Sequence, residues 1–369
     1  MPTELASADA PRRADARLDE APVLPVGLFE QLPKWLNLVP MVLQWAWLGL
    51  RHGSFTLPSS ANPGITAGGL VGEGKLEYFR AMGPLARAAT ADFVAVENVH
   101  GRDLSASLGL MCGAGLDFPV IAKPDLGWCG YGVRLLDDEA ALADYQRRFP
   151  AGESFLLQRY LPDPGEAGIF YMREPDAATG RVIGILLRHY PSVVGNGVDA
   201  LADLVARDAR LRRGALDEGH ESRCDGARIP ACGERVRLST VASTRVGGAY
   251  EDGSSLATPA LLERVDAIAR DMGVFLAGRF DVRYRDVAAL QRGEFTIMEV
   301  NGAGSEAVHA WDPKYSIREV YRIVFAKQRL LFRIGAANRR RGHRPIGVLA
   351  LARLFLRQHA LLRRYPPSN

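Results

Sequence analysis

Two short runs in the C-terminal third, Arg279-Phe280-Asp281-Val282-Arg283-Tyr284 and Phe295-Thr296-Ile297-Met298-Glu299-Val300-Asn301-Gly302, constrain this chain more than any other feature. Phe280, Val282 and Tyr284 alternate with polar residues, as do Thr296, Met298 and Val300 with Glu299 and Asn301. Period-2 alternation predicts two β-strands, with Arg279 and Asp281 on one face of the first and Glu299 and Asn301 on one face of the second. The link from Arg285 to Glu294, with Gly293, is long enough for a hairpin loop. Pairing the strands would gather two carboxylates, an amide oxygen and a guanidinium into one patch. Three hard oxygen ligands suit Mg²⁺, which keeps waters and binds nucleotide phosphates. An arginine beside them suits an anion that develops during a reaction. The plainer alternative is an exposed face with an ordinary Arg–Asp pair.

At 369 residues the chain can hold one large or two ordinary domains, and 47% hydrophobic residues supply an ample core. Cys112, Cys129, Cys224 and Cys232 form no C-x-x-C pair. That pattern fits reduced thiols in a cytosolic compartment and argues against a zinc site. The net charge of +4 hides an asymmetry, for Arg322 to Asn369 carries 12 Lys plus Arg and no acid. The remainder has 46 − 12 = 34 basic against 42 acidic residues, a net of −8. A basic C-terminal block on an acidic body points to an anionic surface, membrane or nucleic acid.

Four segments follow. Residues 1–27, rich in Ala, Asp, Arg and Pro, read as a disordered leader without the basic-then-apolar layout of a signal peptide. Residues 28–57 hold a Trp-rich apolar stretch in which, from Trp35 to Leu50, only Asn37 and Gln44 are distinctly polar. As a helix that stretch spans roughly 24 Å, short of the ~30 Å hydrocarbon core, and Pro40 interrupts it. It reads equally as an amphipathic helix in the membrane interface or a helix docked on the protein's own core. Residues 58–325 form the main domain, and residues 326–369 a basic helical extension whose arginines sit among Ile346, Leu349, Leu354, Phe355, Leu361 and Leu362. No stacking-aromatic platform accompanies that charge, which disfavours nucleic acid.

Within the main domain, Lys75 opens a helix running to about Ala91. Phe118 to Pro124 reads as a buried strand delivering Lys123 at its end. Asp125 to Val133 is a glycine-rich turn with Gly127, Gly130 and Gly132, where backbone N–H groups could approach phosphate oxygens; an ordinary hairpin turn is the commoner reading. It is not a P-loop, because G-K-[ST] is absent. Phe155 to Leu161, carrying Gln158, is a further strand, and Pro162 to Glu166 the turn beyond it. Val182 to Arg188 is a strand, His189 to Gly197 a turn, Val198 to Arg213 a helix, Gly214 to Glu234 a loop and Arg237 to Ser243 a strand. Ala260 to Met272 is an amphipathic helix.

Taken in order, Gly74 to Pro313 resembles the ATP-grasp superfamily, closest to D-alanine–D-alanine ligases and to the ATP-grasp part of cyanophycin synthetases. Lys75 and Lys123 stand 123 − 75 = 48 residues apart, similar to the family's two phosphate lysines. Gln158 to Leu161 looks like its adenine hinge, and Glu166 like its ribose carboxylate. Tyr190 to Gly197 resembles a cyanophycin-type run. Gly278 to Val282 looks like G-R-x-D-V, and Met298 to Asn301 like L-E-x-N. The resemblance implies an α+β ATP-grasp fold of two subdomains clasping ATP. It also implies a glycine-rich lid at Gly127, Gly130 and Gly132, and two Mg²⁺ (or Mn²⁺) ions at Asp281, Glu299 and Asn301. Arg279 would act on a tetrahedral intermediate. Gly302 to His309 departs from the ligase turn, and the short segment before Lys75 leaves little of the usual N-terminal domain; both weaken the expectation of a D-alanine substrate.

The implied activity is ATP-dependent joining of a small-molecule or lipid-linked carboxylate to an amine or thiol through an acylphosphate. The expected location is the cytoplasm, peripheral to the inner face of the membrane. A kinase acting on a hydroxyl group, or a membrane-associated nucleotide-binding module, are the alternatives.

Overall fold

The computed structural model describes residues 25–99 and 103–369, so most of the expected leader lies outside the described residues. Two antiparallel sheets form the body. The smaller contains β1 (Phe93–Glu97), β2 (Val120–Pro124), β3 (Arg134–Leu136) and β4 (Ser154–Arg159), in the order β1-β4-β2-β3. Helices α5 (Leu104–Gly113) and α6 (Glu139–Arg148) contribute Met111, Leu142 and Tyr145 to a core shared with Val96, Val120 and Phe155. The larger sheet contains β5 (Gly165–Met172), β6 (Arg181–His189), β9 (Ala249–Asp252), β10 (Ala277–Tyr284) and β11 (Thr296–Asn301), in the order β11-β10-β5-β6-β9. A two-stranded ribbon, β7 (Ser192–Val194) with β8 (Arg235–Arg237), stands beside it. The chain is thus α+β with two sheet-based subdomains, as expected.

The alternation in β10 explains which face of the larger sheet carries charge. Phe280, Val282 and Tyr284 pack with Leu261, Val265 and Ile268 of α9 (Pro259–Asp271). Each such fully buried side chain contributes about 1.5–3 kcal/mol. The intervening Arg279, Asp281 and Arg283 must then share the other face. Thr258 begins α9 by accepting from the Leu261 N–H, with Pro259 in the first turn.

Around these sheets pack α1 (Leu28–Gln31), α2 (Lys34–His52), α3 (Lys75–Arg80), α4 (Pro84–Ala88), α7 (Leu201–Arg207), α8 (Ala209–Ala215), α10 (Val287–Gln291), α11 (Ile317–Arg340) and α12 (Val348–Leu362). The apolar helix α2 lies along α11. Trp45 meets Phe332 edge-on at 5.1 Å, and Gln44 donates to the Phe325 carbonyl at 2.9 Å. Its other side exposes Trp35, Val42, Leu43, Trp47 and Leu50. The docked reading of this helix thus holds for one face only. Likewise Leu361 at the end of α12, and Tyr365 beyond it, enter the core of the smaller sheet, while Leu349 and Leu356 stay exposed. Among the described residues no helix is long and apolar enough to cross a membrane.

Several expected elements differ. The helix from Lys75 to Ala91 is two, because Gly83-Pro84 ends one and starts the other. The Arg285–Glu294 hairpin loop contains α10, capped by Asp286. The helix expected over 198–213 begins at Leu201 and is broken at Asp208, whose carboxylate caps α8. The turn over 189–197 contains β7, and the strand expected from Arg237 to Ser243 is instead β8, which ends at Arg237. The edge strand β9 is too short to show a period. The boundary at 325/326 falls inside the continuous helix α11, which is amphipathic along its whole length.

Candidate active site

Strand β10 lies between β11 and β5, and its register assembles the site. Arg279 sits opposite Asn301 and Asp281 opposite Glu299 on one side. On the other, Asp281 faces Gly168 and Arg283 faces Glu166. A side chain at Gly168 would bring Cβ within 2.9 Å of Arg279 Cδ and 3.1 Å of Asp281 Oδ1. Glycine there lets the guanidinium and carboxylate lie flat across the sheet. Arg279 then grips Asp281 with both arms of its fork, Nε to Oδ1 at 2.6 Å and Nη2 to Oδ2 at 2.8 Å.

Other groups complete the cluster. Asn301 Nδ2 donates to Asp281 Oδ2 at 2.9 Å, and Arg188 Nη2 reaches both Asp281 oxygens at 3.3 Å. Arg188 Nη1 also stands 3.6 Å from Glu166 Oε1. Glu166 accepts in addition from the Tyr190 hydroxyl, and Arg283 Nε lies 3.8 Å from it. Glu166 is therefore inside β5 and buried among cations, not in a turn beyond a strand.

The two expected lysines converge from different sides: Lys123 ends β2 of the smaller sheet, while Lys75 opens α3, whose Tyr78 and Phe79 pack in the core of the larger sheet. Between Asp281 and Val282 the register slips, leaving Met298 as the extra residue of a β-bulge. Lys123 Nζ donates to the Met298 carbonyl at 2.7 Å and to Gln158 Oε1 at 2.7 Å. Lys75 Nζ pairs with Glu299 Oε1 at 3.1 Å. The start of α3 is moored to the glycine loop, because the Leu76 N–H donates to Asp125 Oδ1 at 2.8 Å. Within that loop Gly127 lets Lys75 Nζ come close, since a Cβ there would sit 2.7 Å from it and displace the lysine tip.

Not every expected residue joins the cluster. Gly130 and Gly132 have φ of +75° and +73° and pack toward Val241, Pro124 and Tyr365. Leu161 lies in the link between β4 and β5, where the chain passes from one sheet to the other. The loop is itself held from outside: Gln358 Nε2 donates to the Gly127 carbonyl at 3.1 Å and the Tyr365 hydroxyl to the Leu126 carbonyl at 2.7 Å.

Electrostatics follow from this crowding. Burial pushes the Lys123 ammonium down to about 8, with Glu299 pulling the other way. Burial would raise the Glu299 carboxyl, but Lys75 and Lys123 outweigh it and hold the group low. Nearby, burial lifts the Glu73 carboxyl to about 7. Among the side chains that make these contacts, Lys75, Lys123, Arg188, Arg279 and Arg283 oppose Glu166, Asp281 and Glu299, an excess of 5 − 3 = 2 positive charges, less the partial charge of Glu73 beside Lys75. The buried Nε atoms of Arg188 and Arg283 have no hydrogen-bond acceptor. A bound polyanion would relieve both conditions.

Arg188, Tyr190 and Arg283 were not singled out from the sequence. The signal was present, an arginine at the end of the apolar run 182–188 in β6 and a second arginine after Arg279 in β10, but only the cross-strand register brings them to Glu166. Among the described residues no three His, Cys, Asp or Glu side chains gather as metal ligands. The oxygen set is two carboxylates and one amide, which excludes a thiolate or imidazole site and leaves a hard, water-keeping cation as the fit.

No family model matches the chain, and no curated protein does. Among solved structures it is similar to a bifunctional glutathione synthetase from Pasteurella multocida, at 16% identity over 68% of this chain and 36% of that one, TM-score 0.35. It is also similar to D-alanine–D-alanine ligase from Bacillus anthracis, at 13% identity over 72% and 70%, TM-score 0.38. That ligase complexed with ATP aligns at 12% identity over 69% and 65%, TM-score 0.36. The chain spans about a third of the length of the synthetase.

Proposed function

We propose that this protein is an ATP-dependent ligase of the ATP-grasp kind, joining a carboxylate to an amine or thiol. The observation that carries the reading is the convergence of Lys75 and Lys123 on adjacent residues of β11, Glu299 and Met298, beside the Arg279–Asp281 pair. Lysines placed so, with a surplus of positive charge, suit the phosphates of a nucleotide, which the glycine turn would cover. Asp281, Glu299 and Asn301 would hold Mg²⁺ or Mn²⁺, which neutralises phosphate charge when bound. Gln158 and Leu161 flank the crossing between the sheets, where an adenine would lie against backbone. Glu166, hemmed by Arg188 and Arg283, fits a ribose less readily than its position in the motif implied.

The chemistry then needs no protein nucleophile. The γ-phosphoryl group of ATP passes to a carboxylate oxygen, giving an acylphosphate and ADP. The amine attacks the carbonyl carbon, a C–N bond forms, the C–O bond to phosphate breaks, and the amine proton leaves to solvent or base. The work left to the chain is positioning and charge neutralisation. Arg279 has the fork geometry to receive the oxyanion of the tetrahedral intermediate, provided it loosens from Asp281.

An ADP-release screen of the purified chain against pools of carboxylates and amines, with product mass detection, tests this. ADP release that requires both substrates, with a condensed product, is expected. Release dependent on a hydroxyl compound and indifferent to amines would favour the kinase reading instead.

A further inference from the structure

Residues 31–72 contain no Asp or Glu, and neither do residues 320–369. The fold brings these two acid-free segments onto one side of the molecule. Thr56 Oγ1 donates to the Ile346 carbonyl at 2.7 Å, the Ile346 N–H donates to Ser59 Oγ at 2.8 Å, and Arg339 Nη2 donates to the His52 carbonyl at 2.9 Å. The outer face of α2 exposes Leu43 at 65% and Leu50 at 72%, with Trp35 and Trp47 beside them. Past the turn at Gly53, Phe55 is exposed too, and so are Val348 and Leu349 at the start of α12, just beyond the Ile346 that Thr56 and Ser59 hold. A soluble chain rarely leaves so long an apolar stripe uncovered without a partner for it.

Beside the stripe lies a groove of about 910 Å³ between α2, β6 and α11. Leu48 and Leu330 form part of its wall, and Arg51, Arg181, Arg329 and Arg333 stand around it, with no carboxylate among the lining residues. Among the described residues, Arg333 is the one of the four with an ion pair, to Glu174 at 3.0 Å. Arg51 lies over the Trp47 ring at 5.4 Å, so cation and aromatic meet at the junction of groove and stripe.

We propose that this face seats the protein on an anionic lipid leaflet, with the Trp and Leu stripe at the headgroup–acyl boundary and the arginine groove receiving lipid phosphate. Helix α2 is not apolar and long enough to span, so it would lie in the plane of the interface. Charge selects the occupant. A second copy of the chain would set one arginine rim against another, and nucleic acid would account for the arginines but not for exposed Leu43, Leu50 and Leu349. Indole rings prefer the boundary between wet and apolar layers. This inference is independent of the ligase reading.

The test is co-sedimentation of the full chain with vesicles of phosphatidylcholine containing phosphatidylglycerol, against phosphatidylcholine alone. Binding should need the anionic lipid, weaken with salt, and shift tryptophan emission to the blue. Leu43→Glu with Leu50→Glu should weaken partitioning at least about tenfold, and Arg51→Ser about fivefold, the share of one cation near such a leaflet. Leu216→Glu, at a residue 78% exposed elsewhere, should change nothing. Melting curves verify that each variant folds. A chain that stays in the supernatant at low salt overturns the proposal. So does unaltered vesicle binding by the Leu43/Leu50 variant, or a dimer or nucleic-acid complex that depends on these residues while vesicles are ignored.

Discussion

Arginines cluster in two places here, and the two clusters are built on opposite principles. On the inner face of the larger sheet, Arg188, Arg279 and Arg283 are packed against Asp281 and Glu166, and the charges are mutually held. On the outer helical face Arg340 and Arg344 are exposed, and the groove arginines stand beside Leu48, Leu330 and Lys327, with Arg333 paired to Glu174 at the surface. Removing one partner from a buried cluster strands a charge in low dielectric, which is costly. Removing one from the outer face leaves water in its place, which is nearly free. The inner face should therefore be sensitive to single changes in both activity and stability, and the outer face in neither.

The sharpest test of that contrast is Glu299→Ala. Glu299 is the most accessible of the three inner carboxylates, at 30% side-chain exposure against 4% for Asp281 and 8% for Glu166. Its loss should leave the far-ultraviolet circular dichroism intact while turnover falls at least about 10³-fold, the upper range for one preorganised group. Turnover close to wild type would remove the assignment of this face.

Next in size, Arg188→Met should cost about 3–5 kcal/mol in urea unfolding, because Asp281 and Glu166 both lose a buried partner. A cost below about 1 kcal/mol would mean that the cluster is wetter than its burial implies. Arg279→Lys keeps the charge but loses the fork. A fall of about 10²-fold in kcat, with ATP affinity nearly unchanged, is expected. An equal loss of ATP affinity would make Arg279 a nucleotide or structural residue.

A smaller effect should follow pH. Burial holds the Lys123 ammonium down at about 8, so it gives up its proton as pH rises through that value. The site then loses one positive charge, and KM for ATP should rise severalfold between pH 7 and pH 9. A flat profile would show that Lys123 does not meet the phosphates. At the small end, Leu43→Glu on the outer face should move unfolding stability by no more than about 0.5 kcal/mol. A large loss would mean that α2 is covered by the protein itself and that the two faces are not so different.

What the sequence by itself determined were the features whose physical cause is local. The alternation in 279–284 dictated a strand and the face each polar residue takes, and that in 296–301 a strand with Glu299 and Asn301 together, although the bulge at Met298 puts Ile297 in the core where alternation expected Met298. The amphipathic period of 260–272 dictated a helix. The oxygen-ligand patch of that strand pair suggested a nucleotide-linked cation, and the two phosphate lysines, Lys75 and Lys123, were implied only by the resemblance to ATP-grasp proteins. Capping and proline breaks at Asp208, Gly83-Pro84 and Asp286 were equally local but were masked by longer apolar patterns around them. The tertiary structure alone decided the rest. Arg188, Tyr190 and Glu166 are brought together by the pairing of β5 with β6 and β10, and register between strands distant in sequence leaves no mark on a periodicity. The bulge that turns the Met298 carbonyl toward Lys123 is likewise a property of two strands, not of one. So too is the outer face: an amphipathic helix specifies that one side must be buried, and only the packing of α2 on α11 shows which apolar residues are left over.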